Sequence, residues 1–196
     1  NITYKITDSD FNFIDDGKGL NKKKLENMWS LFKENHINEK SMGISGLGAK
    51  AATKILSRNG LVTLMTCSKD TQGGFEFFKV TIDWDKIVND GIYTNNISML
   101  PMNDAEMNTF RQTVKETGTV ISLPRNNQTH AIIVSNFTNT KKKLSPHERI
   151  DIIFGKFKNI TIKLEDSTDP SNNGTIKHYD YFCDEDINYY KNKSVD

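Results

Sequence analysis

Residues 11–20 read FNFIDDGKGL and residues 42–56 read MGISGLGAKAATKIL, and these two stretches decide the fold. In the first, an extended run leads directly into a turn containing Asp15, Gly17 and Gly19, and glycine permits the turn to be tight. In the second, closely spaced glycines precede an apolar pattern of helical period. The first stretch therefore predicts a carboxylate held at the end of a strand. The second predicts backbone N–H groups and a helix N-terminus that converge on an anion.

The rest of the chain predicts an alternation of helices and strands around these stretches. Between Trp84 and Thr117 the pattern stays open, because DAEMNTFRQTV resembles a helix while GIYTNNISMLP fits either a strand or a loop. We see no internal repeat and no linker. The other predicted elements are two strands within Ile2 to Ile14, a helix over roughly Lys22 to Glu34, a helix from Leu47 that stops at Asn59-Gly60, the strands LVTLMTC, FEFFKVTID and GTVISL, a capped helix from Ser145, and a terminal hairpin of NITIKLED and TIKHYDYF.

Composition excludes several classes of protein. The chain has 196 residues, of which 36% are hydrophobic, and its 26 Lys and Arg nearly balance its 25 Asp and Glu. This length suits one domain, and the balanced charge gives no global field for nucleic acid or an acidic membrane. The 12 Gly, 4 Pro and 2 Cys argue against collagen and a disulfide scaffold, and no apolar run predicts a membrane span.

The cysteines favour a reducing compartment. Cys67 and Cys183 are far apart and show no pairing pattern, so we expect an intracellular protein of the cytoplasm or nucleus. The four histidines have no metal-ligand spacing with each other or with the cysteines. We therefore predict no metal-ligating residue within this chain.

Taken together, the two stretches predict a single ligand with two different ends. The carboxylate of Asp15 would accept hydrogen bonds from the exocyclic amino group of a base. Gly43, Gly46 and Gly48 would present N–H groups to phosphates, and Lys50 would add a positive charge beside them. Adenine joined to phosphates satisfies both ends, so the sequence predicts that the chain binds ATP or ADP.

The same residues resemble the GHKL ATPases, the superfamily of gyrase and type II topoisomerases, MutL, MORC proteins, heat-shock chaperones and sensor histidine kinases. Its Asp-X-Gly-X-Gly box is matched by residues 15–19, and its Gly-X-X-Gly-X-Gly box by residues 43–48. The Gly-Thr pair at residues 118–119 resembles a strand that follows in gyrase-like members. The resemblance implies that Asp15 reads the adenine amino group together with Thr119, and that residues 35–45 form an ATP lid.

The resemblance also implies an α+β fold of the Bergerat type, a two-layer α/β sandwich. Its sheet would be mixed but mostly antiparallel, with helices on one face. The ATP-binding domain would cover residues 1–183, and residues 184–196 would be a polar tail or the start of a linker. The predicted ATP-binding residues are Asp15, Gly17, Gly19, Gly43, Gly46, Leu47, Gly48, Ala49, Lys50 and Thr119.

One part of the family pattern is missing from this sequence. Family members carry a general-base Glu and a magnesium-ligating Asn on a helix upstream of the Asp-Gly box, and the sequence starts too close to Asp15 to hold that helix. Glu26 and Asn27 lie downstream, on a different predicted helix. We therefore assign no catalytic residue in this chain, and we expect the natural protein to continue beyond Asn1 and to use Mg²⁺ with its ATP.

The resemblance implies an ATPase module in which lid closure controls homodimerisation or a partner of a larger machine. A histidine-kinase-like catalytic domain is one alternative, and a nucleotide-binding module without catalysis is another. DNA is a candidate partner, although a solvated loop before a capped helix explains Lys141 to Lys143 better than a nucleic-acid contact does. Each site residue also has a simpler explanation: Asp15 as a solvated turn, Lys50 as a surface lysine, and Thr119 as an ordinary strand residue.

Overall fold

The computed structural model describes residues 1–29, 48–91, 97–126 and 160–175. The strands of this part are β1 (Ile2–Ile6), β2 (Asp10–Asp15), β3 (Leu61–Lys69), β4 (Phe75–Asp83), β5 (Ile97–Pro101), β6 (Gly118–Pro124), β7 (Ile162–Asp166) and β8 (Gly174–Thr175). Its α-helices are α1 (Lys22–Trp29), α2 (Gly48–Leu56), α3 (Trp84–Asp90) and α4 (Asp104–Thr113). No α-helix among the described residues is long and apolar enough to cross a lipid bilayer.

All of these strands join one sheet, in the order β5, β4, β3, β6, β2, β1, β7, β8. Neighbouring strands run antiparallel except β1 and β7, which are parallel. The predicted turn at Gly73-Gly74 is confirmed: the Asp70 carboxylate accepts the N–H of Gln72 at 2.7 Å and that of Gly74 at 2.8 Å. The sheet is therefore mixed but mostly antiparallel, as predicted.

Helices α1, α2 and α3 cover one face of the sheet, which we call the helical face. Side chains alternate between the two faces along a strand, so each strand contributes every second residue to this side. The core that they form with the helices is the larger of the two apolar clusters within the described ranges. Its buried members are Ile6, Phe11, Leu25, Val62, Leu64, Val80, Ile82, Trp84, Leu123 and Leu164.

Helix α4 packs on the opposite side of the sheet. Phe110 is fully buried there and meets Phe77 edge-to-face, with ring centroids 6.2 Å apart. Cys67 and Val120 of the sheet belong to the same smaller cluster. The α+β class and the two-layer α/β sandwich are thus confirmed, and α4 adds a contact on the second face that the sequence pattern did not predict.

The structure resolves the ambiguous stretch after Trp84. The helix-like run becomes α4, which begins with a capping box: Asn103 accepts the N–H of Glu106 at 2.9 Å, and Glu106 accepts the N–H of Asn103 at 3.0 Å. Helix α3 was not predicted, because seven residues are too few for a clear apolar period. Its local signals are the N-cap Asp83 and the left-handed Gly91 after its last turn.

Several predicted elements lie wholly or partly outside the described residues. The described parts of the first two helices confirm those predictions as far as Trp29 and from Gly48. The terminal hairpin is confirmed by the pairing of β7 with β8, as far as Thr175. The lid at residues 35–45, the capped helix from Ser145 and the tail at residues 184–196 stay predictions.

The buried position of Leu64 in β3 gives a direct test of the core. Leu64→Ala is expected to lower the free energy of unfolding by about 2–5 kcal/mol, because it removes a fully buried side chain and leaves a cavity. Leu61→Ala, on the same strand but with a 37% exposed side chain, should cost far less. Urea denaturation of both variants measures the difference, and equal losses would contradict this description of the core.

Candidate functional site

A row of three polar side chains crosses the helical face where β2 ends. Asp15 of β2 lies directly opposite Thr119 of β6, and Thr119 lies directly opposite Thr66 of β3. Residues opposed in this way place their side chains on the same face of a sheet. Thr66 and Thr119 are buried, whereas Asp15 is half-buried. The row therefore places a half-buried carboxylate next to two buried hydroxyl groups.

Thr66 holds the surrounding backbone together. Its hydroxyl oxygen accepts the N–H of Leu20 at 2.8 Å and donates to the carbonyl of Gly118 at 2.9 Å. The Thr119 hydroxyl oxygen is 3.4 Å away from it. A hydroxyl has one proton to donate, and that of Thr66 is already hydrogen-bonded to the Gly118 carbonyl. Thr66 therefore has a structural role, because it holds the backbone segments around it together.

Two glycines allow the turn after β2 to lie against the sheet. Gly19 has a φ of +66°, and a Cβ atom built on it would stand only 1.9 Å from the Cys67 carbonyl oxygen. A Cβ atom on Gly118 would stand 2.1 Å from the Asp15 carbonyl oxygen. Any other residue at either position would push the turn away from β3 or β6. Gly19 thus shapes the site by permitting close backbone approach.

The Asp15 carboxylate is oriented by the turn that follows it. Its Oδ1 atom accepts the N–H of Gly17 at 2.9 Å, and the Gly17 carbonyl accepts the Thr117 hydroxyl at 2.7 Å. Within the described ranges, no residue donates a hydrogen bond to Asp15 Oδ2. The neighbouring Asp16 is exposed and contacts the amino group and side chain of Asn1. Asp15 is accordingly the carboxylate that faces the polar row and can accept a further donor.

Helix α2 packs on the same face of the sheet as this row. Thr53 accepts a hydrogen bond from the indole N–H of the core residue Trp84 at 3.0 Å, and Leu56 packs against the large core cluster. In its first turn, Gly48 and Ala49 are exposed. This placement puts the start of the helix on the side of the sheet where Asp15 lies.

Lys50, in the first turn of α2, is not a surface lysine. Only 6% of it is exposed, and burial lowers its pKa below the ordinary lysine value because protein replaces the water that would solvate the ammonium group. A buried cation costs free energy unless negative charge or hydrogen bonds compensate for it. Lys50 therefore lies on the inner side of α2.

The structure unites some of the predicted site residues and leaves others open. Asp15, Gly17, Gly19 and Thr119 lie together at the end of β2. Gly48, Ala49 and Lys50 begin α2 on the same face. Gly43, Gly46 and Leu47 lie outside the described residues, so the approach of their N–H groups to the polar row stays a prediction.

Sequence reasoning missed the anchoring role of Thr66. Its signal was a polar residue at an inward position of the strand LVTLMTC, where alternation predicts an apolar side chain. Gly118 was noted as part of a Gly-Thr pair, but its close approach to the Asp15 backbone depends on strand register. Neither contact follows from spacing along the chain.

The described residues offer no cluster of three or more His, Cys, Asp or Glu side chains that could hold a metal ion. The carboxylate of Asp15 stands beside hydroxyl and amide groups instead. These are groups that recognise a polar organic ligand by hydrogen bonds.

Comparison with known proteins does not assign a family. No family model and no curated protein match the chain. Among solved structures, it is similar to the crystal structure of the N-terminal domain of a DNA repair protein, with 14% sequence identity and a TM-score of 0.40. The similarity covers 84% of this chain and 42% of that one, so the chain spans less than half of the solved protein's length. A similarity this low carries no functional conclusion.

Gly73 and Gly19 both have a positive φ, but only Gly19 would bring an added Cβ atom into collision with a neighbouring strand. Alanine at each position therefore distinguishes the free-energy cost of the backbone conformation from that of the collision. Gly73→Ala is expected to lower the free energy of unfolding by about 1–2 kcal/mol, because Gly73 has a φ of +87° but no atom near its missing Cβ. Gly19→Ala should cost clearly more, since its Cβ would also collide with β3. Chemical denaturation measures both values. Equal costs would show that Gly19 does not hold the turn against the sheet.

Proposed function

We propose that this chain is the adenine-nucleotide-binding part of an ATP-hydrolysing protein related to the GHKL ATPases. The observation that carries the proposal is the register of Asp15 with Thr119. The Asp15 carboxylate, whose Oδ2 atom accepts no hydrogen bond from the described residues, lies beside the buried Thr119 hydroxyl on one face of the sheet. An exocyclic amino group donates to the carboxylate, and the hydroxyl pairs with a neighbouring ring nitrogen directly or through water.

The second support is the setting of α2 on the same face of the sheet. Its N-terminus carries the positive end of the helix dipole, and Lys50 adds a buried positive charge. In our proposal the ligand phosphates lie near this end, where the ammonium group of Lys50 would attract them. The glycines upstream of Gly48 would add backbone N–H donors. The residues present thus fit both ends of an adenine nucleotide.

For hydrolysis, we propose that residues of this chain bind and orient the nucleotide. Asp15 and Thr119 fix the base, and Lys50 and the start of α2 hold the phosphates. A bound Mg²⁺ ion would supply charge stabilisation at the phosphates. We assign neither the general base nor a magnesium-ligating Asn to a residue of this chain.

We further propose that the nucleotide controls association of a larger protein. Closure of residues 35–45 over the phosphates would couple nucleotide binding to homodimerisation or to a partner, in the manner of ATP-driven clamps. The partner could be DNA or another protein, and the cytoplasm or nucleus is the proposed location. Lid closure and association both require that the chain binds the nucleotide first.

Asp15→Asn tests the base-reading role. The variant should bind ATP and ADP about 10- to 100-fold more weakly, because a charge-assisted hydrogen bond is replaced by a neutral group that also presents donors. Asp16→Asn is the matched control, since Asp16 is exposed and outside the polar row. Isothermal titration calorimetry measures both affinities, with circular dichroism to confirm folding. Unchanged affinity in a folded Asp15→Asn variant would remove this residue from the site.

A turnover measurement separates an ATPase from a binding module. The natural full-length protein should release phosphate from ATP, and chelation of divalent cations with EDTA should abolish the release while Mg²⁺ restores it. Asp15→Asn should lose turnover in parallel with binding. Tight ATP binding without phosphate release would contradict the enzymatic part of the proposal and leave a nucleotide-binding or interaction module.

A further inference from the structure

Ser68 extends the polar row toward the turn after β2. It follows Thr66 by two residues in β3, so both side chains point to the helical face, about 6.6 Å apart along the strand. The register of β3 with β6 and of β6 with β2 brings Ser68 level with Thr117 and Gly17, where the turn passes the sheet end. Ser68 therefore lies at the same end of the same face as Asp15.

The Ser68 hydroxyl is buried without a hydrogen bond. Only 4% of the residue is exposed, and among the described residues no group pairs with its Oγ atom. Glu76 stands directly opposite it on β4 but makes no hydrogen bond to it. Folded proteins rarely leave a buried hydroxyl unpaired, because the lost hydration is not repaid. Such a group calls for a partner beyond the described residues, and a bound ligand is one that can supply it.

The hydroxyl groups of Thr66 and Ser68 differ in their remaining capacity for hydrogen bonds. Thr66 donates its proton to the Gly118 carbonyl and accepts the Leu20 N–H, so it is committed within the fold. Ser68 has both its proton and its lone pairs available. An ionised carboxylate such as that of Asp15 accepts hydrogen bonds but cannot donate one. A ligand with both donor and acceptor atoms would need a donor such as Ser68 beside the carboxylate.

We propose that Ser68 is a further nucleotide-binding residue, whose hydroxyl donates a hydrogen bond to an acceptor atom in the nucleoside part of the ligand, directly or through one water. The inference rests on the proposed function and adds a residue to it. It assigns Ser68 to the nucleoside end, because Ser68 lies at the same end of the sheet as Asp15. The Ser68 hydroxyl is then unpaired in the nucleotide-free protein and donates a hydrogen bond to the ligand in the nucleotide-bound protein.

The test compares Ser68→Ala with Ser122→Ala in the full-length protein. Ser122 is the control because it lies on the neighbouring strand β6 and its hydroxyl is already paired with Asn12 at 2.7 Å. Calorimetric titration with ADP and with ATP gives the affinities, and thermal melting without nucleotide gives the Tm. Asp15→Asn is titrated in parallel.

Ser68→Ala should weaken the binding of ADP and ATP equally, by roughly three- to tenfold, as expected for one hydrogen bond at the nucleoside end. Without nucleotide its Tm should rise by about 2–4 °C, since a buried unpaired group has been removed. Ser122→Ala should instead lower the Tm and leave both affinities unchanged.

Two results would overturn the inference in distinguishable ways. Unchanged affinity in Ser68→Ala, together with weakened binding in Asp15→Asn, would exclude Ser68 and leave the proposed function standing; a lowered Tm would then show that the hydroxyl is paired within the folded chain. Failure of the unaltered protein to bind ADP or ATP would overturn the proposed function and the inference together.

Discussion

The site depends on the two hydrogen bonds of the Thr66 hydroxyl, which tie the turn after β2 to the middle of the sheet. By accepting from Leu20 and donating to Gly118, this one side chain joins three segments that are far apart in sequence. The glycines at residues 19 and 118 make the approach possible, because side chains at these positions would collide with backbone carbonyls. The register of β2 with β6 places Asp15 opposite Thr119, and the bonds of Thr66 hold the turn after Asp15 against that part of the sheet.

The sequence predicted those features that are encoded locally. Strand β3 and the turn at Gly73-Gly74 follow from β-branched runs and paired glycines, and the structure confirms both. The strand end at Asp15 was equally readable. What could not be read was register, because a one-residue shift of β6 would place Thr119 on the other face and separate it from Asp15. Helix α3 was missed for a different reason, since its seven residues carry capping signals but hardly two turns of apolar period.

Buried hydroxyl groups are grouped together at this end of the helical face. Side chains such as Leu64 and Leu123 fill the neighbouring part of the core, whereas near Asp15 the buried positions hold Thr66, Ser68 and Thr119. A hydroxyl-bearing side chain buries less apolar area than a larger apolar one, so these residues lower the hydrophobic contribution to stability at this point.

The pairing of β1 with both β2 and β7 has a consequence for how the chain folds. Strand β1 and one of its two neighbours are far apart along the chain, since β7 begins at Ile162, and the Thr161 carbonyl just before it accepts the N–H of Ile2 at 2.8 Å. The entropic cost of closing the loop between them comes before any contact rewards it, and contacts of high sequence separation slow folding. Strand β1 is therefore expected to pair with β2 before it pairs with β7, and until then its second edge stays open to other strands.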